Sequence, residues 1–350
     1  MPEKQWINQG DNRMKVLRSI SRRAVLKQGM AIAAATLIAG GLSAPCSAIG
    51  AAQIAKGKSV QYVTFGLQFE YQVAMVDGIE KRAKAAGINL ETIDGKGDPN
   101  LQVTQALDAV SKKPDALLVD PVDAKLITAG VKRANASNVP VFMMENAPPE
   151  GQYGALVEFD NEAGGAMGAD TLARLVGYKG TVLELRGSVD SAQAQARHQG
   201  FTDRMKSKYP NIKVMSLNTE WIADNAYKMV LDAMTQDPDI KGVFSHNDEM
   251  VRGVISALRQ TGKLIPPGKP GHVFIVGLDG TPLALDRIRA GTQDASVGQD
   301  PVSMGSNIVD AIIASFQGKP YPKSTRIEPI LITKANADDP TLWGNFGKKK

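Results

Sequence analysis

Just after successive runs of β-branched residues, the chain places groups suited to gripping a hydroxylated molecule. They fall at Phe65 to Tyr71, Asp120-Pro121, Glu145-Asn146, Phe159-Asp160, Arg186 to Arg197, Trp221, His246-Asn247-Asp248, Asp279-Gly280 and Gln299-Asp300. Carboxylates, amides and a guanidinium can each hold a hydroxyl pair in a planar fork, and an aromatic ring can cover a C–H face. A buried site of this kind discriminates sharply, because a missing hydroxyl strands its protein partner at about 1–3 kcal/mol.

The same residues do not assemble into known reaction chemistry. His198, His246 and His272 are read on different elements without the spacing of metal ligands. The run Phe65-Gly66-Leu67-Gln68-Phe69-Glu70 has neither the glycines nor the lysine of a phosphate loop, and no nucleophile has an adjacent base. A binding protein is expected rather than an enzyme, with no metal and no cofactor.

The elements that must position these groups follow from hydrophobic period. Strands are expected at Ser59 to Phe65, Asn89–Asp94, Ala116–Val119, Val139 to Met144 and Leu156–Phe159, with helices at Leu101 to Lys112 and Ala124 to Ala136 between them. A second alternation gives strands at Thr181 to Leu185, Val214 to Leu217, Val243 to Ser245, Val273 to Leu278 and Ala295–Gly298. A last helix carries Gly305, Ile308, Val309, Ile312, Ile313 and Phe316 on one stripe; one more strand is expected over Ile327 to Thr333, and Lys348 to Lys350 reads as a frayed end. This is an α/β chain with two doubly wound parallel-sheet lobes, and ligands of open α/β sheets bind beyond the carboxyl ends of strands.

The formal net charge of +5 resides in residues 1–48, where Lys4, Arg13, Lys15, Arg18, Arg22, Arg23 and Lys27 outnumber Glu3 and Asp11. The rest is balanced, which argues against a nucleic-acid binder. Those residues read as an export signal: a basic segment, an uncharged stretch from Gln28 to Leu42 too short to span a membrane, then small residues. Ser21-Arg22-Arg23-Ala24-Val25-Leu26-Lys27 resembles the bacterial twin-arginine signal, with Val25 where that signal prefers Phe. Cleavage is expected after Ala48, with Ala51 and Ala52 as alternatives, and the lone Cys46 precedes all three, so the mature chain would have no disulfide. Pro45 stands where a lipid-anchoring signal wants a small residue.

Four segments then resemble the periplasmic ribose-binding-like proteins, in the same order and spacing. Phe244-Ser245-His246-Asn247-Asp248-Glu249-Met250 looks like that family's strand and Asn-Asp-Glu/Met turn, and Val276-Gly277-Leu278-Asp279-Gly280-Thr281-Pro282 like its Val-Gly-Phe-Asp-Gly-Thr-Pro segment. Phe159-Asp160-Asn161 with Gly164-Gly165 is similar to its first hinge crossing, and Arg197-His198-Gln199-Gly200-Phe201 to its Arg-x-x-Gly-Phe helix. The resemblance implies that Arg197, Asn247, Asp279 and Gln299 hydrogen-bond the ligand and that Trp221 stacks on it. It also puts Phe69, Tyr71 and Gln72 in the first contact loop and Asp120 where relatives often carry Asn. Glu145-Asn146 replaces the Asp-Arg of ribose binders, so a guanidinium is gone and the pocket is net acidic, which disfavours an anionic sugar. Asp248 reads as an N-cap of the next helix.

The resemblance implies a periplasmic, monomeric solute-binding component of an ABC transporter, closing on a neutral sugar or polyol and docking on a membrane permease. The alternative is a ligand sensor feeding a chemoreceptor or sensor kinase; repressors of the lactose type share the core but carry a helix-turn-helix where this chain has its export signal. The expected lobes are 57–159 plus 300–325 and 160–299 plus 326–345, with chain crossings near Phe159-Asp160, Gly298-Gln299 and Ser324 to Arg326.

Overall fold

The computed structural model describes residues 55–346. The expected export signal, Cys46 and the lysine end lie outside them.

Two six-stranded sheets account for the alternation. The first contains β1 (Ser59–Thr64), β2 (Asn89–Asp94), β3 (Ala116–Val119), β4 (Val141–Met144), β5 (Leu156–Phe159) and β11 (Ser324–Ile327), in the order β11-β5-β4-β3-β1-β2. The second contains β6 (Gly180–Arg186), β7 (Ile212–Asn218), β8 (Gly242–Ser245), β9 (Phe274–Asp279), β10 (Ala295–Gly298) and β12 (Ile330–Thr333), in the order β12-β10-β9-β8-β6-β7. All pairings are parallel except β10 with β12. Strands β3, β4, β8 and β10 are buried along their whole length, as helix-covered parallel strands must be, whereas β2, β7 and β11 alternate at the edges.

The covering helices are α1 (Glu70–Ala86), α2 (Pro99–Ser111), α3 (Thr128–Ala136), α4 (Asn161–Leu175), α5 (Ala192–Lys208), α6 (Ala223–Gln236), α7 (Val251–Gln260), α8 (Pro282–Ala290) and α9 (Pro301–Phe316). Three start where the sequence sets a capping side chain before proline: Asp98, Thr281 and Asp300 each accept first-turn amides, and the following proline supplies a preset φ. α1 and α8 stop at Gly87 and Gly291, both left-handed. α3 begins later than the periodicity suggests, because the Asp123 carboxylate accepts from the Lys125 and Leu126 amides and holds a separate turn.

The single strand expected over Ile327 to Thr333 is two strands in different sheets. Ser324–Ile327 pairs in parallel with Leu156–Phe159, and Ile330–Thr333 pairs antiparallel with Ala295–Gly298. Pro329 stands between them and has no amide to continue a ladder. Arg326 and Ile327, expected in the second lobe, therefore belong to the first sheet, and the third crossing falls at Glu328-Pro329 rather than at Ser324 to Arg326.

Candidate functional site

A cleft opens between the carboxyl ends of the two sheets, enclosing about 530 Å³ of empty space that is continuous with solvent. Nine of the eleven residues expected at the site line it: Phe69, Tyr71, Gln72, Glu145, Arg197, Trp221, Asn247, Asp279 and Gln299. Phe65, Ser191 and Gln193 complete the lining. These three fall inside the post-strand segments singled out above, but nothing in their residue types marked them individually.

Asp120 and Asn146 are not among the lining residues. Asp120 is fully buried at the end of β3, with no hydrogen-bond partner on either carboxylate oxygen. Burial and the adjacent Glu145 carboxylate raise its pKa well above the ordinary range, against a smaller lowering from Gln72. Asn146 is only half-buried beyond Glu145. Glu145 itself has a left-handed φ of 58°, a strained setting that turns its side chain inward. Its Oε1 accepts the Tyr71 hydroxyl, while its buried Oε2 has no partner. Burial pushes its pKa up, with Tyr71 and Arg197 opposing.

Arg197 is held from three sides. Its Nε donates to Asn161 Oδ1 at 2.7 Å and its Nη1 to the His246 carbonyl, and the guanidinium lies 5.6 Å from the Trp221 ring and 5.9 Å from that of Phe159. The glycines of the family-like segments explain its placement. A Cβ on Gly165 of α4 would stand 2.0 Å from the Arg197 carbonyl oxygen, and one on Gly200 of α5 2.0 Å from that of Glu162. The two helices touch backbone to backbone, and only glycine permits it. Gly187, after β6, does the same for Trp221: a Cβ there would lie 2.1 Å from the indole.

His246 carries the next wall. Its Nε2 meets Glu184 Oε1 at 3.0 Å, and Glu184 Oε2 meets His198 Nδ1 at 2.9 Å and accepts from Ser216 Oγ at 2.5 Å. Burial lowers the His246 pKa, so the neutral ring donates its Nε2 proton to Glu184. His198 and His246, read separately in the sequence, thus share one carboxylate; among the described residues no group of three or more His, Cys, Asp or Glu side chains is arranged to hold a metal.

Asn247 accepts the Met250 amide at 2.9 Å and caps the turn. Asp248, expected to cap beside it, points the other way. Its buried carboxylate accepts the Gly280 amide at 2.8 Å, the Thr281 amide at 3.2 Å, Gln293 Nε2 at 2.8 Å and Ser296 Oγ at 2.9 Å. It ties down the turn that follows Asp279. Asp279 has a φ of 126° and accepts Gln299 Nε2 at 2.7 Å on its carboxylate. Burial lifts its pKa to about 8, with Arg197 pulling it down.

The arrangement offers planar polar groups on several sides, four aromatic rings and unpaired acceptors on Glu145 and Gln299. Residues 61–320 match the model of the periplasmic binding protein domain. The ribose import binding protein of Bacillus subtilis is 30% identical over 252 residues, 72% of this chain and 79% of its own length. The xylitol-binding protein of Mycolicibacterium smegmatis is 28% identical over 313 residues, covering 88% and 86%. The carbohydrate transporter solute binding protein of Agrobacterium radiobacter, solved in complex with D-arabinose, superposes with a TM-score of 0.73 at 25% identity over 81% of this chain and 96% of that one. With its residues 61–320 matched by that domain, the chain belongs to the periplasmic binding protein family.

Proposed function

We propose that the protein is the substrate-binding component of an ABC importer, capturing a neutral sugar or polyol between its two lobes and delivering it to a membrane permease. The observation that carries this reading is the convergence of Arg197, Asn247, Asp279 and Gln299 with Tyr71, Gln72 and Glu145 on one cleft walled by Phe65, Phe69 and Trp221. Such a set pairs hydroxyls in the plane and C–H faces on the rings. Relatives with import and polyol-binding names, on ribose and xylitol, support transport over sensing. Ligand contacts made by both lobes at once favour the closed form, which is what differential affinity requires. The cleft carries out no chemistry on its ligand; its acids accept hydrogen bonds. The protein acts as a monomer in the periplasm, exported by the twin-arginine-like signal in residues 1–48.

A thermal-shift screen against D-ribose, D-arabinose, D-allose, xylitol, myo-inositol and a sugar acid tests this. A ligand of the folded state at a hundredfold excess over its dissociation constant adds about 2.7 kcal/mol of stability. A shift with one neutral compound is the expected result. A shift with the acid alone, or with none, would sink the reading.

A further inference from the structure

The chain beyond β12 returns to the cleft, outside the residues that match the family model. It ends in a single 3-10 turn, Trp343–Asn345. This segment is a built element. Ala337 and Leu342 pack with Leu285, Ile288 and Ile332, and Arg289 of α8 donates Nη2 to the Ala337 carbonyl and to Asn345 Oδ1, both at 2.6 Å.

Through Trp343 its inner side touches two residues that line the cleft, Asp279 and Tyr71. Trp343 is only 6% exposed, and its indole Nε1 donates to the Asp279 backbone carbonyl at 2.9 Å. The same carbonyl accepts the Gln299 amide at 3.0 Å. Gly344 presses on the next peptide so closely that a Cβ would stand 2.5 Å from the Gly280 carbonyl oxygen. On its other edge the indole faces the Tyr71 ring of the opposite lobe, with centroids 6.5 Å apart and planes at 76°. Asp279 needs such support, because a φ of 126° is strained for any residue with a side chain.

We propose that Trp343 is a positioning residue of the sugar cleft: it holds the strained Asp279 backbone from behind, so that the carboxylate faces the ligand, and it completes the wall between the lobes against Tyr71. This rests on the sugar-binding reading above.

Trp343→Phe tests it, since the ring and its contact with Tyr71 stay while the N–H is lost. Two readouts are needed: affinity for the tightest binder among D-ribose, D-arabinose, D-allose, xylitol and myo-inositol, and hydrogen exchange of the Gly280 and Thr281 amides without ligand. The expected result is a loss of affinity of about fivefold, the scale of one net hydrogen bond, together with faster exchange at both amides. Unchanged affinity, with or without a lower melting temperature, would show a tail that only stabilises. Weaker binding with unchanged exchange would place the effect at Tyr71 and overturn the role at Asp279. If no compound in the panel binds the unaltered protein, the sugar reading fails separately, and the exchange rates alone decide whether Trp343 secures the Asp279 turn.

Discussion

The buried acids of the two lobes are treated in opposite ways. In the second lobe, Asp248 accepts from four groups and Glu184 engages Ser216 and two imidazoles. In the first, Asp120 has only Gln72 to favour its charged form, and Glu145 relies chiefly on the Tyr71 hydroxyl. Buried polar groups are normally paired, so an unpaired set marks a place where something else is meant to supply the donors. The second lobe fixes Asp248 and Glu184 in prebuilt networks, whereas the first gives Asp120 and Glu145 few partners. Glu145 Oε2 in the first lobe and Gln299 Oε1 in the second are placed to accept ligand hydroxyls from both sides.

The contrast can be broken at several points. Arg197→Ala removes the cleft's one guanidinium from the prebuilt side and is expected to weaken sugar binding about a thousandfold, measured by calorimetry, while the far-ultraviolet spectrum stays unchanged. Retained affinity would remove Arg197 from the site. Asp248→Ala leaves buried amides and an amide side chain without acceptors; urea unfolding should show a loss of about 3 kcal/mol. A loss under about 0.5 kcal/mol would mean that the second lobe is not prebuilt around it.

Proton linkage gives a third test. The Asp279 pKa is raised to about 8, from 3.8 when unfolded, so the folded protein keeps a proton that the unfolded chain releases. The stability tied to this group is complete below pH 3.8 and is lost as pH rises toward 8, by at most about 1.4 kcal/mol per pH unit. Melting curves of the ligand-free protein between pH 5 and 8 should therefore fall more steeply than those of Asp279→Asn; parallel curves would contradict the assignment. The smallest effect is expected at Glu145→Gln. Replacing this buried acid with a neutral amide should stabilise the ligand-free protein by about 1 kcal/mol, because burial beside Asp120 outweighs the help it receives from Tyr71 and Arg197. Destabilisation would show that this side is as prebuilt as the other.

The strands were legible because parallel-strand cores are written as short β-branched runs, and the residues after them are the site by the topology of the fold. Ser59–Thr64, with three β-branched residues among its six, is one such run. What escaped was everything decided across the sequence. Asp248 beside Asn247 looks like a cap because capping is local, but its partners lie 32 to 48 residues away. Trp343 meets Asp279 across 64 residues, and no period or spacing announces that contact. Gly187 and Gly165 matter for backbone approach, which is invisible until two elements are placed together. Glu328-Pro329 is the exception: a proline within Ile327 to Thr333 is a break that the sequence itself shows.

The switch of sheets at Glu328-Pro329 also governs how the protein can be made. The last strand of the first sheet spans Ser324–Ile327 and that of the second Ile330–Thr333, so both sheets lack an edge until nearly the whole chain has left the ribosome. Most multidomain chains complete the leading domain while the trailing one is still being synthesised. Here that order is denied: α9, which packs on α1 of the first lobe, comes after all but one strand of the second. Neither sheet is complete before residues 324–333 have been made, so the two lobes finish together rather than in turn.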